Sequence, residues 1–90
     1  MPLYFSAHTT ACLTKQALRV LMKELLEANL EANGVNVRRS VCSQIGGRML
    51  VEAESPDQKT LEEFFTERNI NCEWVMRIDL EARNGDVTEH

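Results

Sequence analysis

The sequence predicts an α+β fold of order β-α-β-β-α-β, in which one four-stranded antiparallel sheet carries two helices on one face. Three observations lead there. Segments around residues 3–8, 48–54 and 72–81 alternate apolar and polar side chains at period two, the mark of strands with one buried face. Two further stretches repeat their apolar residues at three- and four-residue steps, the spacing of a helix stripe. Asn33-Gly34, Gly46-Gly47 and Ser55-Pro56 stand between these stretches as stops, turns and caps.

In chain order, Leu3, Phe5 and Ala7 alternate with Tyr4, Ser6 and His8, and the first triplet is expected to face the helices. Thr14 is suited to cap a helix whose stripe is Leu18, Leu21, Met22, Leu25 and Ala28. From Lys15 to Ala32 that helix would run about 27 Å, at about 1.5 Å per residue, before Asn33-Gly34 stops it. Val35, Val37 and Val41 mark the second strand, and Arg39, at the same parity, points to a bulge or an edge position. Gln44-Ile45-Gly46-Gly47 turns the chain into a third strand, with Met49, Val51 and Ala53 inward.

Ser55 as cap, Pro56 in the first helical position and Gln58 reaching back begin the second helix, buried through Leu61, Phe64 and Phe65 and closed by Asn69. Cys72, Trp74, Met76, Ile78 and Leu80 then alternate with charged residues and Val75 as the fourth strand. Residues 1–82 form a single domain in this reading, and 83–90 a polar tail that frays. The result is the ferredoxin-like split βαβ sandwich, with spatial strand order 4-1-3-2 and one sheet face uncovered.

Composition narrows the function. In 90 residues, 43% hydrophobic and 27% charged, there is room for one domain and no signal of low complexity. A net charge of −4 and a pI near 5.1 have the wrong sign for a phosphate backbone, so nucleic acid is not an expected partner. No apolar run is long enough to cross a bilayer, and the N-terminus lacks a secretory pattern. Cys12, Cys42 and Cys72 cannot all pair within one chain and form no CxxC, which fits free thiols in the cytoplasm. The aromatics of an RNA-recognition sheet, the paired cysteines of a copper chaperone and a glycine-rich phosphate loop are all missing.

Alternation sends Tyr4, Ser6, His8, Leu50, Glu52, Val75, Arg77 and Asp79 to the uncovered face, where His8, Glu52 and Arg77 are expected to converge beside the hydroxyl of Tyr4. There Arg77 would hold an anionic group, His8 would orient or protonate a ligand, and Tyr4 would add a hydrogen bond and an aromatic wall. The competing reading is a solvated face whose charges pair across strands. His8 and Cys12 bracket the turn after strand one, but they are two of the roughly four ligands of a zinc-type site; Cys42 or Glu52 would have to complete it. Arg38-Arg39 can offer one guanidinium, not two, to any one pocket, because neighbours on a strand face opposite ways.

The stretches Gly34-Val35-Asn36-Val37-Arg38-Arg39 and Gly46 to Pro56 resemble small bacterial proteins of the dimeric α/β-barrel superfamily. Met1-Pro2-Leu3-Tyr4, His8 and Leu13-Thr14 are also similar to a related family with nickel-binding members. The resemblance implies a homodimer joined by its open faces, with pockets for small aromatic or oxygenated molecules, and isomerases or cofactor-free oxygenases among its relatives. It implies His8 as the imidazole that carries over. The nickel-binding relatives carry further histidines on their helices, and helix one here has none. The expected protein is therefore a homodimer without a cofactor that binds a small molecule on the open face, with His8 as acid or base if it is an enzyme. The alternatives are a nickel-type metal-binding protein and a module that only associates with a partner.

Overall fold

The computed structural model describes residues 1–28 and 34–90. Among them the chain runs β1 (Leu3–Thr9), α1 (Lys15–Glu27), β2 (Asn36–Ser43), β3 (Arg48–Glu54), α2 (Gln58–Glu67), β4 (Trp74–Arg77), β5 (Leu80–Arg83) and β6 (Asp86–Glu89). Strands β1 to β4 form one antiparallel sheet in the order β2-β3-β1-β4, and β5 and β6 form a second sheet of two strands. The expected run of the first helix to Ala32, with its stop at Asn33, lies outside the described residues.

The order within the larger sheet matches 4-1-3-2 read from the other edge, but the fold is not the expected ferredoxin-like βαββαβ sandwich. The single strand expected over 72–81 is two. Its pairing ends where β1 begins: Arg77 is the register partner of Tyr4, Ile78 N–H donates to the Leu3 carbonyl at 2.8 Å, and no earlier strand residue remains to pair. The chain leaves the sheet there and folds back on itself. Asn84 (φ 51°) and Gly85 (φ 85°) make the two-residue left-handed loop that suits the twist of a tight hairpin. His90 N–H closes the hairpin base on the Asp79 carbonyl at 2.9 Å. Residues expected to fray are thus the end of β5, a turn and β6.

Local chemistry explains the helix starts. Thr14 Oγ1 accepts from Ala17 N–H at 3.1 Å and caps α1 as expected. On α2 the cap is Asp57, whose Oδ1 accepts from Thr60 N–H at 2.7 Å, and not Ser55. Ser55 is fully buried, its N–H tied to the Pro2 carbonyl and its hydroxyl to the Asp57 carbonyl, so its side chain is spent on anchoring the chain before the helix.

The core joins Leu25, Leu61, Phe64 and Phe65 of the helices to Tyr4, Val37, Met49, Val51 and Ala53 of the sheet, so both helices cover one face. Burial of each Leu, Phe, Val and Met side chain among these contributes about 1.5–3 kcal/mol. The register fixes which face that is: Tyr4 pairs with Ala53, Ser6 with Val51 and His8 with Met49. The parity expected for β1 is therefore inverted. Leu3, Phe5 and Ala7 lie on the outer face, and Tyr4, Ser6 and His8 face the helices. β4 is inverted too, with Val75 packed on the core and Trp74 and Met76 outside. β2 carries the expected bulge between Val37 and Arg39, which puts Val37 in the core and Val41, paired with Leu50, on the outer face.

Candidate functional site

His8 sits at the end of β1 with no solvent exposure. Its Nδ1 lies 2.8 Å from the Asn71 carbonyl, which only accepts, so Nδ1 carries the proton. Its Nε2 lies 2.8 Å from Ser6 Oγ and accepts the hydroxyl proton as a neutral imidazole. The ring stands edge-on to Phe65 with centroids 4.3 Å apart. Burial lowers the pKa of His8 below its usual value; the Asn71 carbonyl and the charge of Glu73 act the other way and are weaker.

Above this imidazole is a cleft of about 480 Å³ between α1 and the connection from α2 to β4. Leu13, Ala17, Val20 and Leu21 form one wall and Ile70 belongs to the other, with His8, Thr9, Thr10, Asn69 and Asn71 among the polar lining. Thr10 is 5% exposed, and its hydroxyl is a buried side-chain group without a hydrogen-bond partner among the described residues. Its N–H is held by the Gly47 carbonyl at 2.8 Å, which fixes the residue while leaving the hydroxyl unsatisfied. Beside it, Thr9 Oγ1 donates to Glu73 at 2.8 Å and Arg48 Nε donates to the same carboxylate at 3.0 Å. These two bonds hold the Glu73 pKa below the usual carboxylate range, Thr9 having the larger influence, and tie the end of β1 and the start of β3 to the residue just before β4. Arg68, also lining the cleft, is committed: its guanidinium lies 3.8 Å from the Phe64 ring centroid and donates to the Phe64 carbonyl at 3.0 Å.

The four residues expected on the open face do not converge. Tyr4 and His8 lie on the helix side, Tyr4 as part of the core. Glu52 is on the outer face, because it pairs with Phe5 and Arg39 in the register, and its side chain is 4% exposed between Arg38 Nε at 3.6 Å and Arg39 Nε at 3.9 Å. The bulge explains how two successive arginines reach one carboxylate. Glu52 and Arg77 do share a hollow, of about 380 Å³, with Phe5, Met76 and the segment leading into β5. Sequence reasoning missed Thr10 and Asn71, because an unsatisfied hydroxyl and a carbonyl ligand to histidine leave no pattern in a single sequence.

The residues do not fit a nickel-type centre. Both nitrogens of His8 are engaged, Cys12 is exposed, and among the described residues no three of His, Cys, Asp and Glu gather. No described helix is long and apolar enough to cross a membrane. No protein-family model matches the chain, and no curated protein and no solved structure matches it.

Proposed function

We propose that this protein binds a small, mainly apolar organic molecule in the cleft between α1 and the α2–β4 connection, and that it does so as a homodimer. The observation that carries the reading is the buried, unpartnered hydroxyl of Thr10 beside an apolar-walled hollow. An unsatisfied buried polar group costs about 1–3 kcal/mol, and a ligand group that bonds it recovers that loss on binding. The volume lies within the roughly 300–1,000 Å³ of small-molecule pockets. With Arg68 already engaged, the cleft favours a neutral ligand with one hydrogen-bonding group over an anion.

His8 acts here as a positioning group. A base needs a free lone pair, and the one on Nε2 receives the Ser6 hydroxyl. This favours binding over the isomerase or oxygenase chemistry expected from the sequence. The homodimer is supported by the outer face, where Val41, Leu50, Trp74 and Met76 are each at least 36% exposed. A reducing, cytoplasmic setting fits the three free thiols.

The test is an amide NMR titration of the untagged protein with a set of small aromatic and aliphatic alcohols and ketones. Shifts should gather at Thr10, Leu21 and Ile70 and disappear in Leu21→Trp, which fills the cleft. Shifts confined to the Glu52 hollow, or no saturable shift with any compound, would overturn the reading.

A further inference from the structure

On the side of the sheet covered by α1, far along the chain from any sequence motif, two sulfur atoms meet. Cys42 on the edge strand β2 and Met22 on α1 are 20 residues apart in sequence, and their sulfurs are 3.6 Å apart. The contact is a weak one, a thiol facing a thioether. Cys42 is exposed and Met22 half-buried, so solvent reaches the pair. A third sulfur-bearing residue neighbours the pair: the register makes Met49 the direct cross-strand partner of Cys42, on the same face and fully buried. Met49 is flanked on its other side by His8, whose nitrogens are both taken and which therefore adds no donor.

We propose that Cys42 and Met22, with Met49 as the neighbouring third sulfur, form a binding site for a soft monovalent metal ion, Cu(I). Donor type selects the ion. Thiolate and thioether sulfur favour Cu(I), whereas harder divalent ions take imidazole and carboxylate, and no such group of three exists among the described residues. Sulfurs 3.6 Å apart, each about 2.3 Å from a shared ion as in a metal–thiolate bond, subtend an angle of about 100° there. That angle leaves a coordination position open, and Met49, across the strand from Cys42, is the residue proposed to fill it. Charge fits as well. The Cys42 thiol releases its proton to solvent as the sulfur–copper bond forms, copper stays Cu(I), and the thiolate and ion together are neutral, so little charge is buried beside the core.

The experiment is an anaerobic titration of the untagged protein against Cu(I) held by bicinchoninate, with ascorbate present to keep the metal reduced. The protein should withdraw one equivalent, and in protein labelled with carbon-13 at the methionine methyls, Met22 and Met49 should shift while Met1 and Met76 stay in place. Cys42→Ser should lose the transfer. Met22→Leu, a conservative change at a half-buried position, should need less chelator to give up its copper. A protein in which Cys12 and Cys72 are both replaced by Ser should keep the full equivalent. Copper left with the chelator by the unmodified protein, or withdrawn equally well by Cys42→Ser, would overturn the proposal. Methyl shifts confined to Met1 or Met76 would do the same.

Discussion

Ser6 and His8 stand two residues apart on the same face of β1, and the hydroxyl of the first donates to Nε2 of the second at 2.8 Å. With Nδ1–H on the Asn71 carbonyl, the pair closes a chain of hydrogen bonds from the middle of the sheet to the connection before β4. Every polar atom of the imidazole is satisfied, and this lets a histidine sit where solvent does not reach. The arrangement holds the floor of the cleft in one geometry and one protonation state.

That state makes stability depend on pH with a defined sign. Burial lowers the folded pKa of His8, so the unfolded chain binds a proton near pH 6.5 that the folded chain refuses. The stability contributed by this group is complete above pH 6.5 and is lost as the pH falls from there through the folded value. The urea midpoint should therefore drop between pH 7.5 and pH 5.5. In His8→Gln, which replaces the imidazole with an amide that hydrogen-bonds but cannot titrate, the drop should shrink, while His90→Ala should retain it. Equal drops in the natural protein and His8→Gln would show that other groups set the pH response.

Thr10→Val tests the unsatisfied hydroxyl directly. Valine has nearly the same shape and removes the unpaired group, so the variant should be more stable by about 1 kcal/mol, equivalent to a Tm about 4–8 °C higher in a domain of this size. Calorimetry measures it. The same variant should lose affinity for the cleft ligand, which separates a hydroxyl kept for binding from one without consequence. A lower Tm would mean that the hydroxyl has a partner in solution.

What the sequence revealed and what it hid follow from strand parity. β3 was readable because only one of its faces is strongly apolar: Met49, Val51 and Ala53 against Arg48, Leu50 and Glu52. β1 is central and nearly buried on both faces, with Leu3 and Ala7 as enclosed as Tyr4 and His8, so alternation alone could not say which side meets the helices. A parity error of one residue carries the whole set across the sheet, and the expected site divided for that reason. Trp74 and Met76 misled in the same way, being large apolar residues that nevertheless lie outside.

The hairpin has a sequence signal of its own. Asn84-Gly85 is among the strongest short hairpin signals, but its flanks are polar and read as a tail. In the structure Leu80 and Val87 are 63% and 70% exposed, so neither strand of the hairpin has a buried face, and Leu80 instead extends the alternation of the strand before it. The α2 cap shows a smaller effect of the same kind: Ser55 and Asp57 both suit the role, and only the burial of Ser55 decides between them.

Gly85→Ala should act on the hairpin alone. A Cβ there meets nothing within 4 Å, so the cost is conformational: φ of 85° is unfavourable for an L-residue by about 1–2 kcal/mol. An isolated two-stranded hairpin is only marginally stable, and that cost exceeds what it can absorb. Cross-strand NMR contacts between Ala82 and Val87 should vanish while the global Tm stays unchanged. A fall in Tm would show that β5 and β6 are part of the cooperative fold.

Trp74→Glu combined with Met76→Lys tests the outer face. Trp74 is 43% and Met76 54% exposed, and Leu50 and Val41, farther across the same face, are 36% and 45% exposed, so the substitutions disturb little of the protomer's own packing. Their effect on an interface is large, because a buried unpaired charge at each site opposes association. Sedimentation equilibrium of the natural chain should give twice its 10.3 kDa mass, and the double variant should sediment as a single chain with the same circular dichroism. If the natural chain sediments at 10.3 kDa across the whole concentration range, the outer face is not a dimer contact, and the apolar residues there stand in water.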